Sequence, residues 1–275
     1  MSSPPTRPRP IALVIGGTGT TGRRVVERLA AQGHPVRIGS RSGQPPFVWE
    51  DPDTWKAALH GVDRVYVVHP DLTQPAAAEQ IDAFSRTAVA CGARRLVLLS
   101  GRGDATLHAV EDGLKNSGAD WTVIRPGWFN QNFSESFFLE AIVAGEIALP
   151  VAGAGEAFVD ADDIADVVVA ALTDDRHIGK IYELSGPRLM TFAEVAAELS
   201  KAAGREITFT PLTLEQFRAV MVANGLPEEV ADGFAESLGG KTSYLVHGVE
   251  QALGRKPKDF SDYARETAAT GVWNV

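Results

Sequence analysis

The chain predicts an α/β fold, a doubly wound parallel sheet with a smaller, mainly helical C-terminal subdomain. Three observations predict it. Through the first half of the 275 residues, apolar runs of strand length alternate with longer stretches of helical periodicity, the pattern of successive β-α-β units. The runs are continuous Val, Leu and Ile, as expected where helices cover both faces of a parallel sheet. A glycine-rich turn joins the first run to the first helix.

Ile11–Ile15 is the first strand, and a helix follows from about Thr21 to Gln32. Val36–Ser40 supplies the next strand, Thr54–His60 a helix, Arg64–His69 a strand, Pro75–Cys91 a helix and Arg95–Ser100 a strand. A helix over Asp104–Ser117 leads into the strand Trp121–Arg125, and the short run Phe47–Trp49 completes six parallel strands. Beyond Arg125 the alternation loosens. Glu146–Pro150 reads as a strand, Ala161–Thr173 as a helix, Lys180–Leu184 as a strand, Phe192–Ala203 as a helix and Ile207–Pro211 as a strand. Three helical segments then run to Ala269, punctuated by Asn224-Gly225, Gly239-Gly240 and the stretch Gly254–Pro257.

The turn Gly16-Gly17-Thr18-Gly19-Thr20-Thr21-Gly22 places Gly16, Gly19 and Gly22 three apart, directly after a strand and opening a helix. Glycines there permit a tight turn and let the backbone approach a diphosphate, whose charge the free amides of the helix N-terminus stabilise. With both flanking elements in place, the motif points to a Rossmann-type domain binding a nicotinamide dinucleotide. We expect a disordered tail over residues 1–10, the dinucleotide domain over 11–150, and a mainly substrate-binding subdomain over 151–275 interleaved with the sheet.

The end of the second strand decides between the two nicotinamide dinucleotides, because an acidic side chain there accepts from a ribose hydroxyl while a cation meets a 2′-phosphate. Here it reads Gly39-Ser40-Arg41-Ser42, with no acid and with Arg23 as a second cation just inside the first helix. Charge-assisted hydrogen bonds from these arginines favour NADPH.

The string GGTGTTGRRVVERL, the segments Trp49–Trp55 and Ala57–Asp63, RPGWFNQNF at Arg125–Phe133 and VDADDIADVVVAAL at Val159–Leu172 resemble NmrA-like atypical short-chain dehydrogenases over nearly the whole chain. Within that family the combination is similar to the branch named after ergot-alkaloid agroclavine dehydrogenase, which reduces an iminium with NADPH. The resemblance implies that Gly16, Thr18, Gly19, Thr20 and Thr21 cradle the diphosphate and that Ser40 and Arg41 face the adenosine ribose. It also implies that Val68, His69 and Pro70 pass alongside the cofactor, that Ser100 and Gly101 lie near the nicotinamide, and that Pro126 to Asn132 close over it. His69, Trp128, Phe129 and Asn132 are then the substrate contacts.

Ordinary short-chain dehydrogenases carry Tyr-x-x-x-Lys on a helix, where residues four apart share a face and the Lys eases proton donation to a carbonyl oxygen. This chain lacks the pair. Counting back from Asn116-Ser117-Gly118, the expected positions hold His108 and Asp112, a candidate general acid and its orienting carboxylate, with Ser100 as a third catalytic candidate; Glu111 and Lys115 would otherwise form an ordinary helical ion pair. Hydride transfer to a ketone creates an alkoxide that needs a proton, whereas hydride transfer to an iminium neutralises a cation. The missing pair therefore fits reduction of C=N or a conjugated C=C bond, and equally a protein that has lost redox activity.

A formal charge of −9 disfavours nucleic acid or an anionic membrane as partner. The single cysteine excludes an internal disulfide, no apolar run approaches the roughly 20 residues that cross a bilayer, and the N-terminal MSSPPTRPRP is no secretory signal, so a cytoplasmic location is expected. Asp160, Asp162 and Asp163 precede an apolar helix and read as a cap, and no histidine spacing suggests a metal. Trp128, Phe129, Phe133, Phe137 and Phe138 are numerous enough to wall a pocket for a flat substrate. The leading expectation is a cytosolic NADPH-dependent reductase of a small aromatic or alkaloid-like metabolite. Its rivals are an NmrA-type dinucleotide-sensing regulatory protein without turnover and a non-redox cyclase or isomerase.

Overall fold

The computed structural model describes residues 11–103, 106–151, 153, 155–225, 227–237 and 242–275. The tail expected over residues 1–10 and the break at Gly239-Gly240 lie outside the described residues. Two compact units form: residues up to 125 together with 164–182, and residues 126–163 together with 183–275.

The chain runs β1 (Ile11–Ile15), α1 (Thr20–Ala31), β2 (Val36–Gly39), α2 (Asp53–Leu59), β3 (Val62–Val67), α3 (Ala77–Ala90), β4 (Arg95–Leu99), α4 (Leu107–Lys115) and β5 (Asp120–Pro126). It continues through α5 (Leu139–Ala144), β6 (Glu146–Leu149), α6 (Ala161–Thr173), β7 (Lys180–Leu184), α7 (Phe192–Ala203), β8 (Thr208–Pro211), α8 (Leu214–Ala223), α9 (Glu228–Ser237), α10 (Gly248–Leu253) and α11 (Phe260–Ala268). Strands β2-β1-β3-β4-β5-β7 lie side by side in that order, and the ladders from β2 through β5 are all parallel. This is the mostly parallel, helix-flanked Rossmann-type sheet that the apolar runs predict.

Because β2 and β3 flank β1 on opposite sides, the winding reverses there and leaves a crevice at the carboxyl ends of β1 and β3. The core of the first unit fills both faces: Leu13, Leu29, Trp55, Ile81, Phe84, Leu96 and Leu98 are all buried. Full burial of one such aliphatic side chain contributes about 1.5–3 kcal/mol. Helix α4 packs on α3 through Gly113, where an added Cβ would lie 2.9 Å from the Cβ of Asp82.

Phe47–Trp49, expected as the sixth strand, is not a strand. β7 takes that place at the sheet edge. Phe47 and Trp49 are buried with Val48 half-buried between them, an alternation that reads like a strand but serves as a core plug. The Phe47 amide donates to Ser40 O at 2.9 Å, tying the segment to the turn after β2. Indole N–H groups fix the rest, Trp49 donating to Val68 O at 3.1 Å and Trp55 to Val48 O at 2.8 Å.

In the second unit, β6 and β8 form a two-stranded parallel sheet, and Phe133, Phe138, Phe158, Phe192, Phe260 and Trp273 build an aromatic core. Helices α7 and α8 start with reciprocal capping boxes, Thr191 with Glu194 and Thr213 with Gln216. Among the described residues four helices follow β8 where three segments were expected, since the glycine and proline breaks separate four periodic stretches. Helix α5 was not anticipated; its 6 residues are too few to display a helical period.

Candidate functional site

At the β1–α1 turn, Gly16 takes φ +67°, a left-handed conformation that L side chains disfavour, and its amide donates to Gly39 O at 2.9 Å. A Cβ on Gly22 would meet Gly16 O at 2.1 Å, so the helix sits against the turn as closely as a backbone can. Gly19 is the N-cap residue and no side chain caps the helix. The first bond of α1 is Arg23 N to Gly19 O at 3.0 Å, which leaves the amides of Thr20, Thr21 and Gly22 ahead of it for an external acceptor. Thr18 and Gly19 are exposed, whereas the Thr21 hydroxyl turns inward and accepts from Tyr66 Oη at 3.1 Å. Burial pushes the Tyr66 phenol up, so it stays a donor.

Ser40 and Arg41 follow β2. Ser40 is half-buried, its carbonyl accepting from Gly43 N at 3.0 Å as well as from Phe47 N. Arg41 is exposed and no described residue pairs with it. Arg23 lies half-buried just inside α1.

At the end of β3, Val68 borders Gly16, with its Cβ 3.6 Å from where a Gly16 Cβ would be. His69 is buried, and both ring nitrogens are engaged: Nδ1 accepts from Asp71 N at 3.2 Å and Nε2 meets Gln80 Oε1 at 2.8 Å. The Asp71 amide requires an acceptor, which assigns the Nε2–H tautomer. The ring of His69 lies 5.0 Å from that of Trp49. Pro70 is exposed.

Next to the end of β4 lies a densely bonded polar group. Ser100 N donates to Ile124 O at 2.8 Å and Ser100 Oγ to Glu111 Oε1 at 2.8 Å. Glu111, on α4 and fully buried, also accepts Arg125 Nε at 2.7 Å, Arg125 Nη2 at 2.6 Å and Lys115 Nζ at 2.9 Å. Burial pushes the Glu111 carboxyl up, but the bonds from Arg125, Lys115 and Ser100 outweigh it and hold the group below the ordinary glutamate value. Gly101 is half-buried beside it. His108 and Asp112 stand on the exposed face of α4; no hydrogen bond joins them, and Asp112 instead lies 3.5 Å from Lys115 Nζ. The expected Glu111–Lys115 pair is present, while its links to Ser100 and Arg125 escaped the sequence reading. The available signal was a carboxylate set within the apolar stripe Leu107, Val110 and Leu114.

In the second unit, Pro126 closes β5 and is buried. Trp128 meets Phe137 edge-on at 5.8 Å and Phe234 at 5.9 Å, and stacks on Phe138 at 6.3 Å. Phe137 remains 54% exposed within this aromatic group. Phe129 bridges to Val159, and Asn132 is half-buried with no described side-chain partner. Asp160 caps α6 through Asp162 N at 2.8 Å and accepts from Asn130 and Gln131, each at 3.2 Å. Lys258 reaches Asp162 at 3.0 Å and Arg255 reaches Asp163 at 2.6 Å, so cations of the chain itself answer this acidic cluster.

A glycine-rich turn at the switch point of a parallel sheet defines a dinucleotide-type Rossmann architecture. The chain belongs to the NmrA-like family, whose model matches residues 105–266. NAD(P)H azoreductase of Xenophilus azovorans is 34% identical over 94% of this chain and 98% of its own length. Agroclavine dehydrogenase of Claviceps fusiformis is 30% identical over 95% of this chain and 98% of its own. A solved NADPH-dependent quinone oxidoreductase of Escherichia coli, complexed with NADPH, shares the fold with a TM-score of 0.74 at 22% identity, covering 93% of this chain and 99% of that one. Among the described residues no helix is long and apolar enough to cross a membrane.

Proposed function

We propose that the protein is an NADPH-dependent reductase of a small aromatic or alkaloid-like metabolite, acting on a C=N bond or a conjugated C=C bond. The observation that carries this reading is the uncapped start of α1 above a turn in which Gly22 and Gly16 are in backbone contact. Such a cradle fits a diphosphate and has no packing purpose that a larger residue would not serve. The azoreductase and clavine dehydrogenase relatives support the reductase class.

In this reading the amides of Thr18, Thr20, Thr21 and Gly22 hold the diphosphate, and Arg41 with Arg23 meets the 2′-phosphate. In the first unit Val68, His69, Pro70, Ser100 and Gly101 are the proposed nicotinamide contacts, His69 also a substrate contact; in the second, Pro126 is proposed for the cofactor and Trp128, Phe129 and Asn132 for the substrate. A bound reduced nicotinamide supplies a hydride. An iminium carbon receives it as a new C–H bond, the π pair moves to nitrogen and a neutral amine results, so no side chain need give up a proton. A conjugated C=C bond leaves an enolate that does need one, and His108 is the proposed donor.

Fluorescence titration with NADPH and NADH, followed by NADPH consumption with cyclic imines, enones and quinones, tests the proposal. We expect tighter binding of NADPH and turnover of imines or enones. Dinucleotide binding with no turnover across the panel would favour a sensing role, and no binding at all would sink both.

A further inference from the structure

Glu111 has no acceptor position left. An ionised carboxylate offers about four lone-pair sites and no proton. Ser100 Oγ and Arg125 Nε take Oε1, and Arg125 Nη2 and Lys115 Nζ take Oε2, all between 2.6 and 2.9 Å. Ser100 has a single hydroxyl proton, and Glu111 holds it. Turning that proton elsewhere would strip a partner from a carboxylate that is 0% exposed, a costly loss where water cannot replace it.

The consequence lies on the other side of the serine. No described residue donates to Ser100 Oγ, so its lone pairs stay open at the carboxyl end of β4 on a residue only 7% exposed. Lys115 and Arg125 pair with Glu111, and Lys115 also lies 3.5 Å from Asp112. At the serine itself, the direction of one hydroxyl sets the preference.

We propose that Ser100 is an acceptor-only contact that selects a ligand group bearing an N–H donor, with Glu111 as the positioning residue that fixes its proton inward. Resting on the reductase reading above, the group selected is a protonated C=N bond. An N–H extends the chain of donors toward Glu111, whereas a carbonyl or carboxylate oxygen meets Ser100 lone pair against lone pair. The site thereby discriminates between an imine and its ketone before any chemistry occurs.

The test compares benzamidinium with isosteric benzoate by titration calorimetry on the full chain, with and without NADP+. The intact protein should bind benzamidinium at least about tenfold more tightly than benzoate, the effect of one hydrogen bond to a charged group. Ser100→Ala should abolish most of that ratio and Ser100→Thr, which keeps the hydroxyl, should restore it. Glu111→Gln, whose amide can donate to Ser100 and release its proton outward, should lower or reverse the ratio. If it misfolds, the two Ser100 variants decide alone. Equal affinities for the two probes, no measurable benzamidinium binding, or a ratio untouched by Ser100→Ala would overturn the proposal. Failure of NADPH to bind would remove the reductase reading separately, since the probe ratio needs no turnover.

Discussion

The α-carbon of Gly22 lies so close to Gly16 that a methyl group added to it would stand 2.1 Å from the Gly16 carbonyl oxygen. No rotamer relieves such a contact, because both atoms belong to backbone, so α1 must move away from the turn. Gly22→Ala should therefore weaken NADPH binding at least about tenfold while destabilising the fold by about 1–3 kcal/mol, as overpacking does. Gly19→Ala, whose added carbon would lie 3.3 Å from the same oxygen, should cost much less. Fluorescence titration and thermal melts read both effects, and a Gly22→Ala protein that binds NADPH normally would place the dinucleotide elsewhere.

Arg41 is exposed after β2 and no described residue claims its charge. A 2′-phosphate would be its natural partner. Arg41→Ala should raise the Kd for NADPH about tenfold and leave that for NADH nearly unchanged. Equal losses for the two coenzymes would show that Arg41 does not read the phosphate.

The glycine turn was legible because its meaning is local: three glycines, a strand before and a helix after. The boundaries Ala161–Thr173, Lys180–Leu184 and Phe192–Ala203 were legible for a similar reason, each being an uninterrupted apolar period between breakers. Phe47–Trp49 misled because a core plug and a half-buried strand share the same alternation. The Ser100, Glu111 and Arg125 network was not legible, since its members come from β4, α4 and β5 and meet only through the topology. Spacing back from Ser117 selected His108 and Asp112, but helical geometry puts those two on the exposed face and Glu111 on the buried one.

Glu111 links this network to pH. Its folded-state pKa is depressed, through donors that outweigh burial, so the unfolded chain binds the proton more readily. Stability from the group is thus fully present above the ordinary carboxylate range and is lost as pH falls through the folded value. Glu111→Gln should cost about 3 kcal/mol at about pH 7, the scale for removing one partner of a buried ion pair. The difference between intact protein and variant should then shrink on acidification, as read by urea melts over a pH series. A difference constant with pH would mean that the carboxylate is not ionised in the fold.

Gly113 sets two familiar effects against each other. Replacing an interior helical glycine by alanine ordinarily stabilises by about 1 kcal/mol through backbone entropy. At Gly113 the new carbon would lie 2.9 Å from Asp82 Cβ, 3.0 Å from its Cα and 3.1 Å from its N, so the α3 backbone itself is in the way. Overpacking of about 1–3 kcal/mol then exceeds the propensity gain. Gly113→Ala should lower Tm by a few degrees, whereas Gly233→Ala, on α9 with nothing within 4 Å of its added carbon, should raise it. Because α4 also carries Glu111, Gly113→Ala should reduce the benzamidinium preference along with stability, while Gly233→Ala should not alter it. Two variants that raise Tm alike would show that α3 yields freely, and that the seating of α4 does not depend on this glycine.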